Sequence, residues 1–108
     1  MIFVPFIEAP DQSVALVLER RRVTLRMLYN VMIARWSLDV AIDATPMICG
    51  IRLVPGVDLL EPFGIDIGSI FVGDYEGRGA APDYEAMISG RLRLYAIGPA
   101  ERAAALAS

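Results

Sequence analysis

Apolar and polar residues alternate along several stretches of this chain, with the two-residue period of a half-buried β-strand. In residues 22–29 apolar side chains occupy every odd position, and in residues 35–42 they occupy every even position. Shorter or weaker strand patterns lie at residues 2–7, 13–18, 47–54, 67–74 and 91–97. No long stretch has a helical period, so the pattern predicts strands throughout.

Residues with turn chemistry separate these stretches. Polar turns are predicted at residues 19–21 and 43–46, a type II turn at Pro55–Gly56, and a β-bulge or a close backbone approach at Gly50. Residues 59–62 predict a short irregular or helical segment. A single helical turn is predicted over residues 83–88, with Asp83 as its cap.

The resulting fold class is all-β: a small antiparallel β-barrel or sandwich of six to seven strands with at most one short helix. The length of 108 residues favours one domain. We assign residues 1–98 to a single β-barrel domain and residues 99–108 to an alanine-rich C-terminal tail. A tail of this length is marginal as an isolated helix, so we expect it to be frayed or docked on a partner.

Composition and charge narrow the classes of partner. Hydrophobic residues make up 56% of the chain and the mean hydropathy is +0.50, which indicates either a rich core or apolar surface covered by other subunits. The net charge of −3 does not favour specific nucleic-acid binding. No stretch approaches the roughly 20 apolar residues of a membrane helix, and the N-terminus lacks the basic region of a signal peptide. We therefore expect a cytoplasmic origin and no membrane partner.

Candidate chemistry is sparse. The chain contains no histidine and one cysteine, so histidine-based catalysis and histidine metal ligation are impossible, and Cys49 has no histidine to activate it. We expect Cys49 to be a small buried residue. Asp74, Glu76 and Asp83 lack the spacing of a calcium loop. The sequence predicts no enzyme, no cofactor and no metal. The alternative that spacing alone leaves open is a hydrolytic pair of carboxylates from residues far apart in the chain.

The order of the segments resembles the baseplate plug family of contractile-tailed phages. The segments that carry the resemblance are Asp11-Gln12-Ser13-Val14, Thr24-Leu25-Arg26, Arg35-Trp36-Ser37-Leu38-Asp39-Val40, the stretch 50–60 that contains Gly56-Val57-Asp58-Leu59-Leu60, the strand 68–74, and Arg91-Leu92-Arg93-Leu94-Tyr95. The apolar residues 31–34 and the alanine-rich tail depart from the family pattern.

The resemblance implies a structural protein of the virion tail, assembled in the bacterial host cytoplasm. Such a protein forms a ring-shaped homo-oligomer, possibly a hexamer, that plugs or joins the tail tube and the central baseplate hub. Its partners would be other copies of itself, the tube and the hub, and the family has no catalytic residues. An alternative function is a soluble β-barrel binding module for a small ligand or peptide, which predicts a monomer with a concave apolar pocket.

Three groups of residues are candidates for interfaces between subunits. The first is an extended N-terminal arm, the second is an unusually apolar turn, and the third is a set of arginines and one tyrosine on polar strand faces. In that order they are Ile2, Phe3 and Val4; Val31, Met32 and Ile33; and Arg26, Arg35, Arg91, Arg93 and Tyr95. Residues 2–7 are predicted to form either an edge strand or an arm laid on a neighbour, where their unpaired backbone groups add to the adjacent sheet. The arginines are either solvated or paired with Asp39, Asp58 or Asp66 of a neighbour, and Trp36 is interpreted as a core residue rather than an interface anchor.

Overall fold

A computed structural model describes residues 2–64, 67–74 and 83–107, including the side chains as far as residue 104. Within these ranges, antiparallel strands dominate the chain. The strands are β1 (Ile2–Val4), β2 (Asp11–Leu18), β3 (Arg21–Asn30), β4 (Arg35–Ile42), β5 (Thr45–Arg52), β6 (Ser69–Asp74) and β7 (Leu92–Ile97). A 3₁₀ turn at Glu61–Phe63 precedes β6, the helix α1 (Tyr84–Ile88) precedes β7, and the helix α2 (Pro99–Ala107) follows it. The predicted all-β class is confirmed.

The strands form a three-stranded sheet in the order β1-β7-β6 and a four-stranded sheet in the order β2-β3-β4-β5. The chain crosses from β5 to the edge of β6, where the amides of Gly56 and Leu59 donate to the carbonyls of Val72 (3.2 Å) and Ile70 (2.8 Å). On the opposite side, β1 and β2 are outer strands of different sheets. Between the barrel and the sandwich that the sequence left open, the described residues form a sandwich joined along one side.

The core lies between the two sheets and follows the predicted alternation. Every even residue of β4, from Trp36 to Ile42, is buried, and every odd residue is partly exposed. Val23, Leu25 and Met27 of β3 face the same interior. The three-stranded sheet contributes Val4, Ile70, Val72, Leu92, Leu94 and Ala96. Burial of these apolar side chains is the main stabilising contribution to the fold.

Two hairpins of the four-stranded sheet close through two-residue turns with left-handed backbone. Glu19 and Arg20 have φ angles of 46° and 80°, and Asp43 and Ala44 have φ angles of 49° and 67°, the pattern of type I′ turns. The turn predicted at residues 43–46 is therefore shorter, and β5 begins at Thr45 rather than at residue 47. Its Pro46 is tolerated because β5 is an edge strand.

The bulge predicted at Gly50 is confirmed. The register with β4 shifts between Leu38 and Val40, Gly50 has a φ of 77°, and its amide donates to Asp39 Oδ1 at 2.8 Å. The prediction that Cys49 is buried is wrong, because this cysteine is exposed. The extra residue resets the alternation so that Ile48 and Ile51 both face the core and Cys49 faces outward.

Aromatic side chains fill one end of the core around Trp36. The indole is fully buried, and the rings of Phe6, Tyr29 and Tyr84 lie 4.9, 5.3 and 5.6 Å from it. Its Nε1 donates to the carbonyl of Asp83 at 3.1 Å. Asp83 also caps α1 as predicted, since its side chain accepts from the amide of Ala86. The interpretation of Trp36 as a core residue is confirmed.

The alanine-rich tail forms α2, which adds a second short helix to the one expected. Its first turn is held by the β2–β3 turn, because the Glu19 carboxylate accepts from the amide of Ala100 at 2.9 Å. Arg102 lies 3.7 Å from Asp58 and donates to the carbonyl of Gly68 at 3.5 Å. The start of the tail therefore docks on its own chain. Among the described residues, no helix is long and apolar enough to cross a membrane.

Candidate interaction surfaces

The β3–β4 hairpin carries an apolar tip at residues 31–34, which we call the hairpin tip. Val31, Met32 and Ile33 are 78%, 90% and 49% exposed. The loop is held by local interactions: the side-chain Oδ1 of Asn30 accepts from the amide of Met32 at 3.0 Å, and Ala34 adopts a φ of 52°. The structure therefore brings three predicted interface residues together on a preformed protrusion instead of folding them into the core.

The outer face of the three-stranded sheet carries a row of aromatic rings. Register pairs Tyr95 of β7 with Phe3 of β1 on one side and with Phe71 of β6 on the other. The ring centroids of Phe3 and Phe71 lie 5.9 and 5.6 Å from that of Tyr95. The guanidinium of Arg93 lies 5.7 Å from the centre of the Phe3 ring, within cation–π range.

Three candidates, Phe3, Arg93 and Tyr95, therefore meet on this aromatic row, and Arg91 is exposed just before β7. Sequence reasoning missed Phe71. The signal for it is the alternation of β6, where Phe71 takes the outward phase between buried Ile70 and Val72. Only the strand order shows that this phase faces the same side as Tyr95.

The N-terminal arm belongs to its own sheet. β1 pairs with β7 in register, with Val4 opposite Leu94, so the backbone on that side is not available to a neighbouring sheet. Val4 is 1% exposed and Ile2 packs partly against the core. The assignment of the Val4 side chain to an interface is therefore wrong, because alternation turns Phe3 outward and Val4 inward.

The two candidate arginines of the four-stranded sheet, Arg26 and Arg35, find partners within the chain. Arg26 donates to both carboxylate oxygens of Asp11, at 3.0 and 2.8 Å. Arg35, at the base of the hairpin tip, donates to the carbonyl of Ala34 at 2.8 Å. The proposed acceptors are also engaged, since Asp39 accepts from Gly50 and Asp58 accepts from Leu60 and Ser69. Asp66, the third proposed acceptor, lies outside the described residues.

The contact between Arg26 and Asp11 affects the titration of the Asp11 carboxyl. The hydrogen bonds from Arg26 lower the pKa of the Asp11 carboxyl, and the pKa of Arg26 is raised by the same contact. A lowered folded-state pKa gives stabilisation that is present above the unfolded pKa and is lost as pH falls through the folded one. We expect Arg26→Gln to raise the pKa of Asp11 in an NMR titration. An equal rise in the matched variant Arg22→Gln would contradict this assignment.

Two of the grooves formed by the described residues lie on the outer faces of the sheets. The larger, of about 510 Å³, runs beside the aromatic row and is lined by Gly56, Val57, Asp58, Glu61, Ser69, Phe71, Ile97 and Arg102. Asp58 is fixed there, because Ser69 donates to it at 2.7 Å. The smaller groove, of about 340 Å³, lies between Arg26 and Cys49 on the four-stranded sheet.

The described residues bring together no group of three or more histidine, cysteine or carboxylate side chains that is able to hold a metal. Asp74 and Asp83 are described, but Glu76, the middle residue of the loop considered in the sequence, lies outside the described ranges. The features that stand out on these surfaces are therefore apolar and aromatic patches.

The comparison with protein families identifies the chain. The family model described as "Cyanophage baseplate Pam3 plug gp18" matches residues 1–99. The chain belongs to this family of phage baseplate plug proteins. The resemblance stated from the sequence segments is thereby confirmed, and a baseplate plug protein is a component of the virion tail. A search of curated proteins gives no significant match. The family match includes both sheets and ends at Pro99, the first residue of α2.

Proposed function

We propose that this plug protein is a structural, non-catalytic subunit of a ring that joins the tail tube to the central baseplate hub. The observation that carries the proposal is the hairpin tip of a chain that belongs to the plug family. Three consecutive apolar side chains on a preformed protrusion are unfavourable in water, and a partner that covers them gains roughly 1.5–3 kcal/mol for each side chain it buries fully. We assign this tip to the contact with the tube or the hub.

The aromatic row supplies a second surface, which we assign to contacts between ring neighbours. Aromatic residues and arginine are enriched in the buried centres of protein interfaces. Phe3, Tyr95 and Arg93 form such a group, and their geometry is fixed by strand pairing rather than by a loop. A surface that is rigid before binding loses little entropy on association.

The test is incorporation into tails. We expect the triple variant Val31→Ser, Met32→Ser and Ile33→Ser to fold like the wild type. When it replaces the wild-type chain during tail assembly, we expect it to be absent from the tails and not to co-purify with tube and hub proteins. The matched control is Ile7→Ser with Met47→Ser, which removes exposed apolar side chains elsewhere. Incorporation of the triple variant at the wild-type level would refute the role of the tip.

A reconstruction of the assembled tail tests the ring itself and counts its copies. If the wild-type chain is absent from tails, the proposed function is wrong as a whole.

The alternative function, capture of a small ligand or peptide, is supported less well. The larger groove is open and mixed in chemistry, with Asp58, Glu61 and Arg102 among its apolar lining residues. It is also formed on the outside of the three-stranded sheet, rather than in the concave interior that a β-barrel binding module uses.

A further inference from the structure

The outer strands of the two sheets differ in how well their free edges are protected. An exposed edge offers unpaired N–H and C=O groups, and proteins protect such edges with short strands, proline, charge, bulges or a covering segment. β1 is only three residues long and is followed by Pro5. β5 contains Pro46 and the bulge at Gly50. The edge of β6 is covered by the backbone of Gly56 and Leu59.

Within residues 2–64, 67–74 and 83–107, the edge of β2 has none of these protections. β2 is eight residues long, pairs in unbroken register with β3, and has no partner strand on its other side. It contains no proline, glycine or basic residue, and its single charge, Asp11, stands at one end and is paired with Arg26. The exposed side chains along it are Ser13, Ala15 and Val17, which are small or apolar.

The direction of the free main-chain groups follows from the register. The amide of Tyr29 donates to the carbonyl of Pro10, and Gln12 lies opposite Met27. Because hydrogen-bonded pairs alternate in an antiparallel ladder, even residues of β2 bond to β3 and odd residues point away. The free N–H and C=O groups therefore belong to the odd residues Asp11, Ser13, Ala15 and Val17. They point away from β3, with the spacing that an added strand requires.

We propose that this edge binds β2 of a second copy of the chain, antiparallel and about a two-fold axis at Val14. Among the described strands, only β2 offers a second edge of the same length without a bulge. With the axis at Val14, Asp11 lies opposite the partner's Val17 and Ser13 opposite the partner's Ala15. The two-fold axis repeats both pairs, so four residue pairs form. Each exchanges two main-chain hydrogen bonds, which gives about eight in total. No like charges lie directly opposite each other.

The contact between two β2 strands differs in symmetry from the contacts between neighbours in a ring. A two-fold contact is isologous, whereas neighbours in a ring of more than two subunits meet through two different surfaces. The β2 pair therefore belongs to the chain before it joins a tail, where it covers an edge that would otherwise template aggregation. The inference concerns the isolated protein and does not depend on the proposed ring.

The first test is the mass of the purified chain in solution. Light scattering and sedimentation are expected to give about twice the chain mass of 11.8 kDa. Ala15→Lys places a charge in the middle of the edge and Ala15→Pro removes an outward N–H, so both are expected to yield monomers with unchanged circular dichroism. Met47→Lys, the same added charge on the bulged edge of β5, is the control and is expected to stay dimeric. A monomeric wild type, or a dimer that survives Ala15→Pro, would overturn the proposal.

A second test fixes the register. In a Cys49→Ser background, Val14→Cys places the two new thiols in a non-hydrogen-bonded pair, where Cα atoms lie about 4.5 Å apart, within the range of a disulfide. We expect mild oxidation to cross-link this variant. Leu16→Cys is the matched control, since residue 16 lies opposite the partner's Gln12 and not opposite itself. Equal cross-linking of both variants would contradict the proposed axis.

Discussion

Replacing Trp36 by alanine is expected to lower the free energy of unfolding by about 3–5 kcal/mol, the range for large aromatic residues removed from cores. The side chain is 0% exposed and contacts aromatic rings from β3, from α1 and from the segment after β1. Its loss leaves a cavity and removes one of the two hydrogen bonds that the carbonyl of Asp83 accepts, the other coming from the amide of Met87. Domains of this size have only about 5–15 kcal/mol of stability, so much of it would disappear.

The measurement is urea unfolding followed by circular dichroism, because Trp36 is the only tryptophan and its fluorescence is lost with it. Trp36→Phe is the control. It keeps a ring between Phe6 and Tyr84 but removes the Nε1 donor, so a clearly smaller loss of stability is expected. If the alanine variant lost less than about 1 kcal/mol, well under the core range, the aromatic cluster would not be a centre of the core.

The second large effect is expected at Gly68, directly before β6. Its φ is 109°, and a Cβ atom built there overlaps the carbonyl oxygen of Ile97. Alanine therefore combines an unfavourable left-handed backbone with a collision against backbone that is itself hydrogen-bonded in the sheet. We expect Gly68→Ala to cost about 2–5 kcal/mol, from roughly 1–2 for the conformation and 1–3 for overpacking.

A matched variant separates the two causes. Gly56 also has a positive φ, of 80°, but a Cβ atom there meets nothing within 4 Å. We expect Gly56→Ala to cost only the conformational part, about 1–2 kcal/mol, in the same urea experiment. Equal losses for the two variants would show that the approach of Gly68 to Ile97 is not tight.

Strand positions and core faces were predicted well because each depends on neighbours along the chain. The even residues of β4 are buried as their alternation requires, and so are Val23, Leu25 and Met27 of β3. The cap at Asp83 and the bulge at Gly50 were also readable, since each rests on the chemistry of one residue. Cys49 was misplaced because the face that each β5 residue takes depends on its register with β4. Ile48 lies opposite the buried Val40, so the next residue, Cys49, faces outward.

The candidate surfaces were predicted less completely. The exposed tip at Val31, Met32 and Ile33 was recognisable because three apolar residues occupy a turn. The aromatic row was not recognisable from the sequence, because Phe71 and Phe3 lie beside Tyr95 only through the strand order β1-β7-β6. Likewise, the pairing of Arg26 with Asp11 depends on the β2–β3 register, which places residues 15 positions apart side by side.

The sequence by itself determined an all-β chain, because a two-residue period and local turn chemistry specify strands wherever one face must be buried. The order of its segments carried the resemblance to the plug family. Only the tertiary structure decided that the strands form two sheets joined on one side, which edge remains unprotected, and which exposed side chains share a surface. Those properties depend on contacts between residues far apart in the chain, such as β1 with β7, and no local pattern encodes them.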